Sequence, residues 1–177
     1  DPVVATSSEF CGECEFCVKG LTNNCDYGFT GRGYGRDGGF ADHVLIKNPK
    51  HLIKLQGLDP KIAGPLTDAG ATSYHGVKRI LPKLVPGSTV LIIGAGGLGS
   101  YAIQFIKALS ASKIIAVDMN EKRLQVAAQF GAHHTVVGVN DSTYDEVMKL
   151  THNRGVEAVL DFAGFDSTID FSLKVIR

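Results

Sequence analysis

From residue 88 onward, apolar and polar positions alternate in blocks. Thr89-Val90-Leu91-Ile92-Ile93 is an uninterrupted apolar run, the pattern of a strand covered on both faces. A helical period follows, with Leu98, Ala102, Phe105, Ile106 and Leu109 on one stripe. Lys113-Ile114-Ile115-Ala116-Val117-Asp118 predicts a second strand, and 121–130 a helix closed by Gly131, a residue suited to a left-handed cap. Residues 135–137 predict a third strand, 144–150 a short helix ended by Asn153-Arg154-Gly155, and 156–162 a fourth strand with one helix after it. Strands alternating with helices predict an α/β fold built on a parallel, doubly wound sheet. The full form of such a domain has six strands, and four are expected here.

The first 87 residues lack this rhythm. Residues 1–10 read as the end of a strand, and 11–36 as a Gly-, Cys- and Asn-rich loop with no core of its own. Residues 38–46 predict a turn into a strand that stops at Asn48-Pro49, and 51–55 another short strand. Residues 60–81 carry helix signals broken by Pro65 and Gly70, so a bent or interrupted helix is expected. Pro82 and Pro86-Gly87 mark a boundary, giving two domains, 1–87 and 88–177.

Composition narrows the partners. Lys plus Arg equals Asp plus Glu at 18 each, and the pI is about 7.2, so neither a nucleic acid nor an anionic membrane surface is expected. No apolar run approaches the roughly 20 residues of a membrane span. Asp1-Pro2-Val3-Val4-Ala5 does not resemble a signal peptide, so a cytoplasmic location with reduced thiols is expected.

Two clusters carry chemistry. All four cysteines, Cys11, Cys14, Cys17 and Cys25, stand as C-x2-C-x2-C-x7-C. Clustered thiolates suit a tetrahedral zinc that staples a loop unable to pack itself. An iron–sulfur pattern would close with a three-residue gap and proline, whereas here the gap is seven and Asp26 follows. Two disulfides would be awkward between cysteines three apart. The second cluster is Gly94-Ala95-Gly96-Gly97-Leu98-Gly99, a dinucleotide fingerprint after a strand and opening a helix. Gly94 permits the tight turn, Gly96 lets backbone approach a pyrophosphate, and Gly99 lets helix and strand pack closely. Asp118, ending the next strand, can accept hydrogen bonds from both adenosine ribose hydroxyls and repels a 2′-phosphate, which favours NAD over NADP. The other role open to Asp118 is a helix cap. Lys122 and Arg123 could face a phosphate, and Arg123 could equally flank the adenosine of NAD.

The cysteine spacing, Gly38-Gly39-Phe40-Ala41, the run Leu66-Thr67-Asp68-Ala69-Gly70-Ala71-Thr72-Ser73-Tyr74, the glycine fingerprint and Asp118 occur in an order that resembles the zinc-dependent, medium-chain alcohol dehydrogenases. The resemblance implies a partial Rossmann domain preceded by part of a GroES-like, β-rich catalytic domain with a structural-zinc lobe at 11–36. It implies hydride transfer between an alcohol and NAD, or the reverse from an aldehyde or ketone, in a dimeric or tetrameric parent. It assigns the four cysteines to a structural zinc, Asp68 to the third ligand of a catalytic zinc, Thr72 to the neighbourhood of the nicotinamide, and Leu98 to the back of its ring. From the residues alone, Asp68 is either a helix cap or, if buried, a carboxylate in need of a partner or a metal.

The chain departs from the family in lacking the first two catalytic-zinc ligands, a cysteine and the histidine of a Gly-His-Glu motif. His43, His51, His75, His133, His134 and His152 all lie outside that motif. His43 is expected on the surface or in the core, and His133-His134 on the surface. An internal fragment, inactive alone, is therefore expected. The alternatives are a polyol, sugar or threonine dehydrogenase of the same superfamily, and a non-catalytic module holding zinc and nucleotide.

Overall fold

A computed structural model of the chain describes every residue except Phe29. The described residues form two compact units, Asp1–Asp68 and Ala69–Arg177. The first contains β1 (Val3–Ala5), the single-turn helix α1 (Glu15–Val18), the two-residue strands β2 (Gly31–Arg32) and β3 (Gly35–Arg36), β4 (Leu52–Lys54) and α2 (Pro60–Ala63). β1 and β4 pair antiparallel, Val3 opposite Lys54 and Ala5 opposite Leu52, matching strand signals at both places. The strand expected within 38–46 does not form. Its backbone finds no ladder partner among the described residues, and Phe40 and Leu45 stand exposed. The helix expected over 60–81 is interrupted: α2 gives way to a 3-10 turn, Gly64–Thr67, before α3 (Ala69–Ile80). The break falls at Asp68, with φ −125° and ψ −76°, rather than at Gly70, which is buried inside α3.

The second unit continues with β5 (Thr89–Ile93), α4 (Gly97–Leu109), β6 (Lys113–Asp118), α5 (Glu121–Phe130), β7 (His134–Val137), α6 (Asp141–Leu150), β8 (Ala158–Asp161) and α7 (Asp166–Val175). The four strands make one parallel sheet in the order β7-β6-β5-β8. The apolar runs explain why the sheet is covered on both sides. Val90, Ile92, Ile114 and Ala116 pack into one core with Val77, Ala102, Ile103, Ile106 and Leu124. Leu91, Ile93, Ile115 and Val117 pack into a second core with Val147, Phe171 and Val175. Alternate residues of each strand thus feed opposite layers. Beyond β8, Ile176 makes a parallel bridge to Val156, so the sheet begins to extend past its fourth strand.

Three details differ from expectation. The buried face of α4 is Gly99, Ala102, Ile103 and Ile106, while Leu109 is exposed. The helix starts at Gly97, and the i, i+3, i+4, i+7 set that meets the sheet is turned one residue from the expected stripe. α6 starts three residues early because the Asn140 side chain accepts from Thr143 N at 3.1 Å and caps it. The Pro86-Gly87 boundary lies inside the second unit, where Val77 and Leu84 share the core of α4.

The closeness of α4 to β5 rests on Gly99, where a Cβ would sit 1.9 Å from the Gly94 carbonyl oxygen. At Gly97 a Cβ would meet nothing within 4 Å. Gly99→Ala is therefore expected to cost about 1–3 kcal/mol or more of stability through forced displacement. Gly97→Ala is expected to be neutral or to stabilise by up to about 1 kcal/mol. Urea unfolding of both variants against the parent chain checks the pair.

Candidate functional site

The dinucleotide fingerprint lies at the top of the sheet. β5 is flanked by β6 on one side and β8 on the other, so the chain reverses direction of winding at β5, and crevices in open α/β sheets form at this point. A cavity of about 600 Å³ opens there, lined by Gly94, Gly96, Leu98, Asp118, Phe165 and Thr168 among others. Gly94 takes φ +87°, a turn conformation that favours glycine, and a Cβ there would press on Ala163 N at 3.2 Å and Phe162 C at 3.3 Å. Gly96 caps α4 without any side-chain hydrogen bond, so the first N–H groups of the helix stay available, with the positive end of its dipole. A Cβ on Gly96 would approach only the Arg123 guanidinium, at 3.9 Å, and Gly97 is open. Among the described residues no neighbour requires glycine at these two positions. The space they leave fits an anionic ligand laid on the helix end.

Asp118 ends β6 with its side chain 6% exposed. One carboxylate oxygen, Oδ2, accepts from Ala95 N at 2.8 Å, and the other, Oδ1, accepts from Asn120 N at 2.8 Å. The carboxylate is thus fixed across the crevice with acceptor capacity left on each oxygen. The helix-cap role open to Asp118 belongs instead to Asn120, whose Oδ1 accepts from Lys122 N and Arg123 N. Arg123 Nη1 stands 3.7 Å from Asp118 Oδ2 on a side chain that is 59% exposed. Such a pair holds the arginine beside the acid without adding much stability.

In the first unit the four cysteine sulfurs lie within 4.8 Å of one another, and all four thiols are free. Cys11 and Cys17 Sγ are 3.9 Å apart, and Cys14 and Cys25 Sγ 4.0 Å. A zinc with Zn–S bonds of about 2.3 Å demands sulfur–sulfur edges of about 3.8 Å. The geometry therefore fits tetrahedral zinc and is far from disulfide spacing. Backbone N–H groups point at the sulfurs: Cys14 N and Glu13 N donate to Cys11 Sγ, and Cys11 N to Cys25 Sγ. They act on ionisation too. The Asp26 backbone N–H is the chief cause that lowers Cys14 to about 7, and the Cys11 N–H lowers Cys25. Burial pushes the Cys17 thiol up to about 12.

Asp68 and Thr72 sit at the break before α3 and in its first turn, and both are exposed. Exposed as it is, Asp68 is not obliged by burial to take a partner or a metal. Leu98 lines the crevice in the first turn of α4. His133 is exposed, as expected, and its Nδ1 accepts from Ile114 N at 3.0 Å. Sequence reasoning missed the wall opposite Asp118. There Asp161 accepts from Ala163 N, Gly164 N and Thr168 Oγ1, shaping the loop that brings Phe165 and Thr168 to the crevice. The signal that finds this wall is topological, since the loop after the fourth strand flanks the first in a sheet ordered 3-2-1-4. Among the described residues, no helix is long and apolar enough to cross a membrane.

A parallel sheet with a glycine-lined crevice and an acid closing its second strand has the form of a dinucleotide-binding domain. The family described as zinc-binding dehydrogenase matches residues 97–177. The chain is 38% identical over 158 residues to the NAD-dependent alcohol dehydrogenase of Sulfolobus acidocaldarius, covering 89% of this chain and 44% of that protein. It matches the crystal structure of the alcohol dehydrogenase from the hyperthermophilic archaeon Aeropyrum pernix with a TM-score of 0.90 at 35% identity, over 99% of this chain and 51% of that one. The D-arabinose dehydrogenase of Sulfolobus solfataricus matches with a TM-score of 0.90 at 29% identity, over 98% and 54%. The chain thus spans about half the length of these relatives. Over most of its length the chain is similar to NAD-dependent alcohol dehydrogenases, and its residues 97–177 carry the zinc-binding dehydrogenase pattern.

Zinc binding by the thiol cluster must displace at least the proton that burial keeps on Cys17, and below about pH 7 that on Cys14 as well. Affinity is therefore expected to rise with pH by about tenfold or more per unit across pH 6 to 8. Competition against a chromophoric chelator at several pH values checks the slope, and a flat profile contradicts it.

Proposed function

We propose that this chain carries the NAD-binding half and the structural-zinc lobe of an alcohol dehydrogenase of the cytoplasm, with its first unit forming part of a GroES-like catalytic domain. The observation that carries the cofactor assignment is the Asp118 carboxylate, held in the crevice by Ala95 N and Asn120 N opposite an uncapped helix end. In this arrangement the backbone at Gly96 and Gly97 receives the pyrophosphate, and Asp118 receives the adenosine ribose hydroxyls. Arg123 flanks the adenosine, Leu98 backs the nicotinamide, and Thr72 lies near it. Bound NAD supplies a hydride acceptor at nicotinamide C4. Cys11, Cys14, Cys17 and Cys25 hold a zinc that fixes the loop around them.

Asp68 is proposed as one ligand of a second, catalytic zinc in the whole enzyme. Among the described residues, the thiol cluster is the one group with the geometry of a metal site, so no catalytic step is assigned to a cleft metal here. The substrate class proposed for the whole enzyme is a small alcohol or its aldehyde or ketone, turned over by a homo-oligomer. The likeness to D-arabinose dehydrogenase favours a sugar or polyol as the second substrate reading.

Fluorescence titration of the 177-residue chain with NADH and NADPH tests the cofactor assignment. NADH is expected to bind at least tenfold more tightly, and Asp118→Gly to weaken NADH by one or more orders of magnitude, since each hydrogen bond to a charged group contributes about 1.5–3 kcal/mol. Tighter binding of NADPH by the parent chain would refute the ribose role. The chain alone, with Asp68 as its single proposed catalytic-zinc ligand, is expected to form no NADH from alcohols. Measurable turnover by it would overturn the place given to Asp68.

A further inference from the structure

The thiol cluster is anchored from outside by a turn that carries no metal ligand. The 3-10 turn Pro49–His51 begins at Asn48, whose Oδ1 accepts from Lys50 N at 3.1 Å. It presents two side chains to Phe10 and Cys11. Lys50 Nζ donates to the Cys11 carbonyl at 2.5 Å and stands 5.6 Å from the centre of the Phe10 ring. His51, its side chain 5% exposed, sets Nε2 3.3 Å from Phe10 N and 3.1 Å from Phe10 O. Its ring also meets that of Phe10 edge-on at 5.1 Å. Main-chain bonds fix the histidine in turn, with Thr6 N donating to His51 O at 2.9 Å and His51 N to Asn48 O at 3.1 Å.

The other ring nitrogen of His51, Nδ1, is buried, has no hydrogen-bond partner among the described residues and faces Glu9 Oε2 at 4.0 Å. Glu9 is itself held by Arg32 Nη2 at 2.8 Å and by Arg36 Nη1. A carboxylate on that side favours the tautomer with the proton on Nδ1, which leaves Nε2 free to accept from Phe10 N. Phe10 precedes Cys11, and Cys11 N is the group that donates to Cys25 Sγ at 3.3 Å. Holding Phe10 N therefore restrains the residue that leads into Cys11, whose N–H is aimed at another ligand and whose Sγ lies where Cys14 N reaches it.

We propose that His51, backed by Glu9, is the positioning residue of the metal lobe: it holds the Phe10–Cys11 backbone so that the four thiols are converged before metal arrives. The inference rests on the thiol cluster being a zinc site. Partners of this kind behind the ligands typically contribute 10–100-fold in metal affinity. The test uses the full 177-residue chain with Zn²⁺ in chelator competition, and with Co²⁺ read by its thiolate charge-transfer absorption. His51→Leu fills similar space without hydrogen bonds, whereas His51→Gln keeps an acceptor and a donor. Zinc affinity is expected to fall at least tenfold in His51→Leu and to return to within about threefold of the parent in His51→Gln. The cobalt spectrum of His51→Leu should still be that of four thiolates. A merely structural histidine would lower thermal stability equally in metal-free and metal-loaded chain, leaving the stabilisation by zinc unmoved; a positioning histidine shrinks that stabilisation. Unchanged zinc affinity in His51→Leu overturns the proposal while leaving the zinc site standing. Failure of the parent chain to hold zinc overturns both.

Discussion

The approach of Gly99 to the Gly94 carbonyl is the constraint on which the second unit depends. No side chain fits between them, so the first turn of α4 rests directly on the end of β5. Ala102, Ile103 and Ile106 then fall onto the sheet in sequence, and the N-terminus of the helix opens at the mouth of the crevice. Packing and ligand chemistry are linked through this one contact. A helix pushed outward by a methyl group would lose core contacts and move its free N–H groups at the same time.

The first unit solves a different problem. Its loop of Gly, Asn and Cys has few apolar side chains to bury, so order comes from polar bonds and convergent sulfur. Glu9 gathers Arg32 and Arg36, and the turn at Pro49–His51 grips the segment before Cys11. The two units are thus stabilised by unlike means, one by apolar layers on a sheet and one by a thiol cluster with a polar surround.

Strands β5 and β6 were legible in the sequence because both faces of each are buried, which leaves unbroken apolar runs. The glycine fingerprint and Asp118 were legible because their spacing is tied to the turn between strand and helix. Elsewhere local pattern was not enough. Residues 38–46 look like a strand, yet a strand is defined by a partner, and the pattern of one segment does not reveal whether one exists. Leu109 has the right period but lies past the part of α4 that covers the sheet. Asp68 stands in an apolar stretch and is nonetheless exposed, since sequence neighbours at a helix break do not enclose a side chain. His51 gave no signal at all: its partners are the backbone of Phe10 and an acid 42 positions earlier, a relation only the fold creates.

Free sulfurs held 3.9–4.0 Å apart are also chemically vulnerable. A disulfide needs them only about 2 Å closer, and the backbone donors that favour ionisation of Cys14 make a reactive thiolate there near neutral pH. Coordination occupies the lone pairs with which such a thiolate would attack an oxidant. An ion bound here therefore acts as a protecting group, and its loss would turn a structural cluster into a site of oxidative cross-linking that locks the loop in a shape unable to take the metal back.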